Sequence, residues 1–293
     1  MNCTNTAVYN FEGAFRGMRA PKESWHKSDS FFGMINLEND YPDYDWVVDG
    51  WIEQENTTRI IEGKEPITED IEDYNKYYDL MGSYCDWMRG TGILRRYGDI
   101  ADVAFLGPKD LELAQVLIGA GKEHAKFLRQ IFVSVDISAP IYWWKEMDTY
   151  KLGTTANSTS TMHKLTSKPI TLDCFEISNY NKGLIIDLED TEKYDDGIAF
   201  YDHWHLETFV DIMIEHLEQL RIAYIRTKNK KYWEELIRWL PESYIQTRTW
   251  TANYAVLRNI YSQRKNHKLK EWLQFCDWIF TLPYGGELIT LGV

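Results

Sequence analysis

Arg238-Trp239-Leu240-Pro241-Glu242-Ser243-Tyr244, then Trp250-Thr251-Ala252-Asn253, then Asn259, Arg264 and His267 make up the stretch from which the rest of the chain is read. Pro241 has no backbone N–H and clashes with the turn before it, so it stops a short helix predicted over Tyr232–Trp239. Beyond it, Ala255, Ile260, Leu269, Trp272, Leu273 and Phe275 predict a long helical stretch from Thr251 to Phe280. On one continuous helix Asn253 and Asn259 stand ~240° apart around the axis, so they share a face only across a bend or a helix end. One explanation is a helix with polar surface residues. The other is a site in which a ligand satisfies amides that would otherwise lack partners.

Working outward, Leu206, Phe209, Met213, Leu217, Leu220 and Tyr224 recur at helical spacing from about His203 to Arg226, and Lys228-Asn229-Lys230-Lys231 is a solvated break. Pro108 to about Ala120 predicts a helix with Leu111, Ala114, Leu117 and Ile118 on one stripe. In Phe132-Val133-Ser134-Val135-Asp136-Ile137 the alternation places Val133, Val135 and Ile137 on one face of a strand, which Pro140 closes. Residues 1–100 are rich in Trp, Tyr, Asp and Glu, with few clear periods, and read as short helices and loops. Residues 165–202 are acidic and turn-rich and read as an insertion or surface excursion. Mixed helix and strand signals make the class α+β.

Composition excludes several functions. With 44% apolar and 15% aromatic residues in 293, the chain can build a sizeable core and is not disordered. It has no run of ~18 apolar residues to span a bilayer. Met1-Asn2-Cys3-Thr4-Asn5 does not open a signal peptide, so a cytoplasmic location is expected. A net charge of −13 makes it a poor binder of nucleic acid, although a few local arginines suffice for a small phosphate ligand. Cys3, Cys85, Cys174 and Cys276 form no CxxC pair, which argues against a zinc ribbon or disulfide scaffold. Glycine-rich phosphate loops and the GxSxG elbow are absent.

Three stretches could carry chemistry. His203-Trp204-His205 with His216 suggests a metal only if the pair lies on a strand. At the start of a helix the two imidazoles stand ~200° apart, so surface histidines and no metal are expected. Trp143-Trp144-Lys145-Glu146 is either a core helix end or the lining of a pocket for a flat ring. Asn157-Ser158-Thr159-Ser160-Thr161-Met162-His163 is either a turn that caps a helix or a loop of donors for phosphate oxygens.

The Arg238–Arg264 series resembles the flavin-dependent thymidylate synthase family, which makes dTMP without a catalytic cysteine. It looks like that family's Arg-x-x-Leu-Pro, Trp-Thr-x-Asn and Asn-x-x-x-x-Arg series, one residue shorter after the first Arg. A second match runs from Leu111 through Gly121 and the Phe132–Ile137 strand to Pro140 and Ser160. The family's Arg-His-Arg is replaced by Thr149-Tyr150-Lys151, and its preceding Arg-Gln by Lys145-Glu146. Its Ser-x-Asn-Glu-x-Ser-x-Arg tail maps onto Thr155 to Met162, keeping Asn157 and Ser160 and losing the final Arg to Met162. Phage and prophage chains with the Trp-Trp-Lys-Glu and Asn-Ser-Thr-Ser-Thr-Met-His stretches are similar.

The resemblance implies a mixed sheet with long helices over 101–293, an insertion at about 165–230, and a separate region at 1–100. It implies methylation of dUMP at uracil C5, with methylenetetrahydrofolate giving the carbon, FAD the hydride and NADPH the reducing power. Arg264 and Ser160 would be catalytic. Arg238, Asn157, Ser160, Arg264, Lys145 and Glu146 would bind substrate. Asn253, Asn259, Tyr150 and Lys151 would hold the flavin. A homotetramer with sites shared between subunits follows by the same resemblance. The alternatives are a same-fold enzyme for another pyrimidine nucleotide or one-carbon group, or a nucleotide-binding protein without catalysis.

Overall fold

Asn10, in the left-handed region at φ 65°, turns the first strand directly into the first helix, and its side-chain amide donates to the Gln130 carbonyl at 2.9 Å. The computed structural model describes residues 1–36, 44–68, 91–177, 180–182, 185–187 and 203–293. The chain begins with strand β1 (Asn2–Tyr9), helix α1 (Phe11–Arg19), strand β2 (Phe31–Asn36) and helix α2 (Tyr44–Ile61). Strands β3 (Ile93–Tyr97) and β4 (Ile100–Phe105), helix α3 (Pro108–Gly119) and strand β5 (Phe132–Pro140) follow. Next come helix α4 (Ile141–Met147), strand β6 (Thr155–Ser158), the single turn α5 (Thr161–Lys164), and strands β7 (Ile185–Asp187) and β8 (His203–His205). Helices α6 (Leu206–Thr227) and α7 (Lys230–Arg238), strand β9 (Ile245–Asn253), and helices α8 (Tyr254–Arg264) and α9 (Lys270–Phe280) complete the series. The fold is α+β. Its sheets have the orders β1-β5-β9-β6, β2-β4-β3 and β7-β8.

Two compact units divide the chain, and the larger comprises Cys3–Ile137, Tyr150–Ala156 and Thr249–Val293. Its core is aromatic. Phe11 stacks on Phe15 and meets Tyr254 edge-on at 5.6 Å, and Phe15 meets Phe127 edge-on at 5.7 Å. The buried Tyr284 hydroxyl receives Leu106 N–H at 2.9 Å and donates to the Ala104 carbonyl at 2.8 Å, fastening the end of β4 to the C-terminal segment. Below it, the two Asp29 carboxylate oxygens take the backbone N–H groups of Lys109 and Asp110 at 2.9 and 3.0 Å, capping α3 from another part of the chain. A Cβ at Gly107 would lie 2.2 Å from Asp29, so only glycine fits that approach. Burial, aided by the Asp110 charge, pushes Asp29 up to about 6 against the pull of the two N–H groups.

The smaller unit comprises Met1–Asn2, Ser138–Thr149 and Asn157–Arg248. Leu165, Ile170, Phe175, Leu217 and Leu236 form its core, with Met213, Ile214, Leu220, Ile237, Leu240 and Tyr244 packed around them. Arg221 forks onto Glu218 at 2.6 and 2.7 Å, and Glu218 also accepts the Ile170 N–H at 2.8 Å. The stretch that begins the expected surface excursion therefore supplies core side chains at Leu165, Ile170 and Phe175.

Three readings of the sequence are corrected. Residues 1–100 contain strands, not only short helices and loops. β4 lies between β2 and β3 and is buried on both faces, so it lacks the alternation that marks a half-exposed strand. His203–His205 pairs with Ile185–Asp187 as a strand, and α6 starts only at Leu206, so the helical angle used to set these histidines apart does not apply. Thr251–Phe280 is not one helix. Ile245, Thr247, Thr249 and Thr251 are β-branched at alternate positions and continue β9 to Asn253, and α8 and α9 are separated at residues 265–269. Among the described residues no helix is long and apolar enough to cross a membrane. Among the same residues, no group of three His, Cys, Asp or Glu side chains is arranged to hold a metal.

Candidate functional site

The helix end that Asn253 and Asn259 require is the junction of β9 with α8. Asn253 has extended backbone there and accepts the Val256 N–H on its side-chain oxygen at 3.0 Å, so it is the N-cap of α8. Gly153, at φ 75°, lets the 150–154 loop pass close by, and a Cβ added there would come within 3.1 Å of Asn253 Nδ2.

That loop carries Tyr150 to the far end of α8. Arg264 Nε donates to the Tyr150 hydroxyl at 2.9 Å, Tyr150 donates to Gln263 Oε1 at 3.0 Å, and Gln263 Nε2 donates to Asn259 Oδ1 at 3.2 Å. The Arg264 guanidinium lies 4.5 Å over the Trp272 ring, and the Tyr150 ring meets Trp272 edge-on at 6.2 Å. His267 stands 6.1 Å from the same ring. Lys151 is exposed beside Tyr150. The larger unit thus brings together three of the residues singled out in the sequence, Tyr150, Asn259 and Arg264, with Lys151 adjacent in the chain, and leaves Asn253 at the opposite end of α8. Trp272 and Gln263 join them, and the sequence reading did not name either as a site residue.

In the smaller unit Trp143 and Trp144 are both buried and meet edge-on at 5.0 Å. Trp144 Nε1 donates to the Gln246 carbonyl at 3.0 Å, and its ring is covered by the Arg248 guanidinium at 4.2 Å. Of the two readings of the double Trp, the core helix end is what the fold contains. Arg248 also donates to Asp148 at 2.7 Å and to Gln246 Oε1 at 2.9 Å, so it is an arginine held on three sides. The sequence reading missed it. Its signal was available: Gln246 and Arg248 are alternate residues of one strand and share a face.

Ser160 caps α5 by accepting the His163 N–H at 3.2 Å. Asn157 is exposed on β6. Lys145 pairs with Glu242, both more than half exposed, and Glu146 offers its backbone carbonyl to Thr149 Oγ1 at 2.7 Å. Arg238, 62% exposed at the end of α7, pairs with Glu235, which also receives Trp239 Nε1 at 2.9 Å. The capping explanation of the hydroxyl run is thus realised at Ser160, and Arg238 extends toward water from a helix end.

Cys3 and Cys276 are not activated. Burial pushes Cys3 up to about 12 and Cys276 up to about 11, away from thiolate chemistry. Cys85 lies outside the described residues.

No family model matches this chain, and no curated protein matches it. It is similar to a crystal structure of flavin-dependent thymidylate synthase ThyX from Helicobacter pylori complexed with FAD and dUMP, at 21% identity and a TM-score of 0.42. That match covers 62% of this chain and 83% of that one. A second structure of ThyX from Helicobacter pylori with FAD and dUMP is 20% identical at the same TM-score, covering 62% and 82% of the two chains. These overlaps are shallow.

Proposed function

We propose that this chain is a flavin-dependent enzyme of pyrimidine-nucleotide C5 chemistry, in its simplest form converting dUMP to dTMP. The observation that carries this reading is the grouping of Arg264, Tyr150, Trp272 and Asn259 in one unit, on the residues where the sequence resembles the flavin-dependent synthases. Aromatic faces, one cation and side-chain amides form a donor set suited to a flat ring edged with carbonyl oxygens, which describes both an isoalloxazine and a uracil.

Bound FAD would supply a hydride, with methylenetetrahydrofolate as the carbon source and NADPH as the source of reducing power. Everything else falls to the protein's side chains. Arg264 hydrogen-bonds a uracil carbonyl and stabilises the negative charge that gathers on that oxygen as C5 becomes nucleophilic. Tyr150, with Lys151 beside it, replaces the family's His and Arg in orienting the ring. Asn259 and Asn253 face the flavin. Ser160, Asn157, Lys145, Glu146 and Arg238, all in the smaller unit, are the nucleotide contacts that the resemblance implies, and Arg238 would have to release Glu235 to take a phosphate. The assembly is a homo-oligomer.

One set of contacts favours a second reading, a nucleotide-binding protein without catalysis. Ser160 is occupied as a cap, Arg238 as an ion pair, and Met162 replaces an arginine. The deciding experiment combines FAD uptake with product analysis. Purified protein is mixed with FAD, dUMP, methylenetetrahydrofolate and NADPH, and dTMP is sought by mass spectrometry. Bound flavin with dTMP formation supports the enzyme. Binding of dUMP by a protein that refuses FAD and makes no dTMP selects the second reading.

A further inference from the structure

Arginine can only donate hydrogen bonds, and this sets the direction of every contact downstream of Arg264. Its Nε reaches the Tyr150 hydroxyl at 2.9 Å. A phenol oxygen shares its second lone pair with the ring, so after accepting from a cation it is a poor acceptor for another donor. Its proton points outward to Gln263 Oε1 at 3.0 Å. With its oxygen engaged by Tyr150, the Gln263 amide turns Nε2 toward Asn259, whose Oδ1 accepts at 3.2 Å. Asn259 and Gln263 are four residues apart on α8 and hence neighbours on the helix surface. Trp272 holds the head of the chain, with the guanidinium 4.5 Å over its ring and Tyr150 against its edge.

We infer that Gln263 is a positioning residue: through the one-way relay Arg264 to Tyr150 to Gln263 to Asn259 it turns the Asn259 amide so that its NH2, and not its oxygen, is presented to a ligand. The site is thereby selective for a ring edge bearing an acceptor oxygen. This rests on the proposed flavin and nucleotide reading for the identity of the ligand, but the relay itself does not.

Glutamine is well suited to this place. It accepts from Tyr150 with one atom and donates to Asn259 with another. Glutamate accepts from Tyr150 but then offers Asn259 a second acceptor, which draws the Asn259 NH2 inward and turns its oxygen to the ligand. Leucine makes neither contact. Both Asn259 and Gln263 are exposed, so the relay contributes little to folding and its effect is read through ligand binding.

The test has two parts. The first titrates FAD, and separately dUMP, into wild type, Gln263→Leu, Gln263→Glu, Asn259→Ala and the double variant Gln263→Leu/Asn259→Ala. Gln263→Leu should weaken the ligand that Asn259 faces by about three- to tenfold, and Gln263→Glu at least as much. The double variant should bind no worse than Asn259→Ala alone, because Gln263 acts only through Asn259. Additive losses, or unchanged affinity in Gln263→Glu, would overturn the inference. The second part uses ligand-free protein and follows the side-chain amide resonances of Asn259 and Gln263 by NMR. Tyr150→Phe keeps the ring and removes the hydroxyl, and should shift both amide pairs although it touches only one of the two residues. No shift at Asn259 means there is no relay. If wild type takes up neither FAD nor dUMP, the functional reading and the ligand preference fall together, and the NMR result decides the relay separately.

Discussion

Arg19 Nε donates to Asp110 Oδ1 at 2.5 Å in the interior of the larger unit, where the Asp110 side chain is wholly shielded from solvent. Ser28 and Ser30 hydroxyls complete the shell at 2.6 and 2.7 Å. Removing the cation alone leaves a buried carboxylate with two neutral donors. Arg19→Met is therefore expected to cost about 3–5 kcal/mol, read as a fall in the urea midpoint with an unchanged slope. A loss under about 1 kcal/mol would mean the charge is solvated in a way the packing does not allow.

Asp29 gives a pH dependence with a definite sign. Burial pushes its carboxyl up from 3.8 to about 6, so between those values the folded state holds a proton that the unfolded state has released. The contribution is fully present below about pH 4 and is lost as pH rises through 6, amounting to at most about 3 kcal/mol. Subtracting the stability profile of Asp29→Asn from that of wild type should reveal this falling slope between pH 4 and 6. A flat difference would contradict it.

Asn253 separates a folding role from a ligand role. Asn253→Ala removes the cap of α8 and should destabilise by about 1 kcal/mol, and Asn253→Ser should restore most of that because a hydroxyl also accepts from the first turn. If flavin uptake stays low in Asn253→Ser while the thermal midpoint recovers, the amide itself faces the ligand.

The thiols should be inert in the folded state. With Cys3 near 12 and Cys276 near 11, almost none of either is thiolate at pH 8. Brief iodoacetamide treatment of native protein should leave both unmodified by mass spectrometry, and on the proposed function Cys276→Ser should form dTMP as wild type does. Rapid labelling at Cys276 would count against its burial.

Legibility from sequence followed amphipathicity. α3 was predicted over Pro108 to about Ala120 and runs Pro108–Gly119, because Pro at the first position and the Ala114–Ile118 stripe agree. β5 was visible because Val133, Val135 and Ile137 alternate with half-exposed residues. β1 was not, since of Asn2–Tyr9 only Val8 is buried and the polar residues around it leave no pattern. The last three residues of β9, Thr251–Asn253, fall in the expected helix because a threonine run carries no hydrophobic period. In the site, Asn259 and Arg264 could be named from their resemblance to an Asn-x-x-x-x-Arg series. Trp272 and Gln263 could not, because their contacts to Tyr150 depend on a loop more than a hundred residues away in sequence.

The Tyr284 clasp has a consequence for how the chain is made. A ribosome exposes Ala104 180 residues before the hydroxyl that receives its carbonyl. At 5–20 residues per second this is roughly 10–35 seconds, during which the end of β4 has no partner there. Phe11 emerges earlier still and waits longer for its partners Tyr254 and Tyr284. The larger unit cannot close before Tyr284 has emerged, and chaperone occupancy on residues 3–137 should fall only after that point.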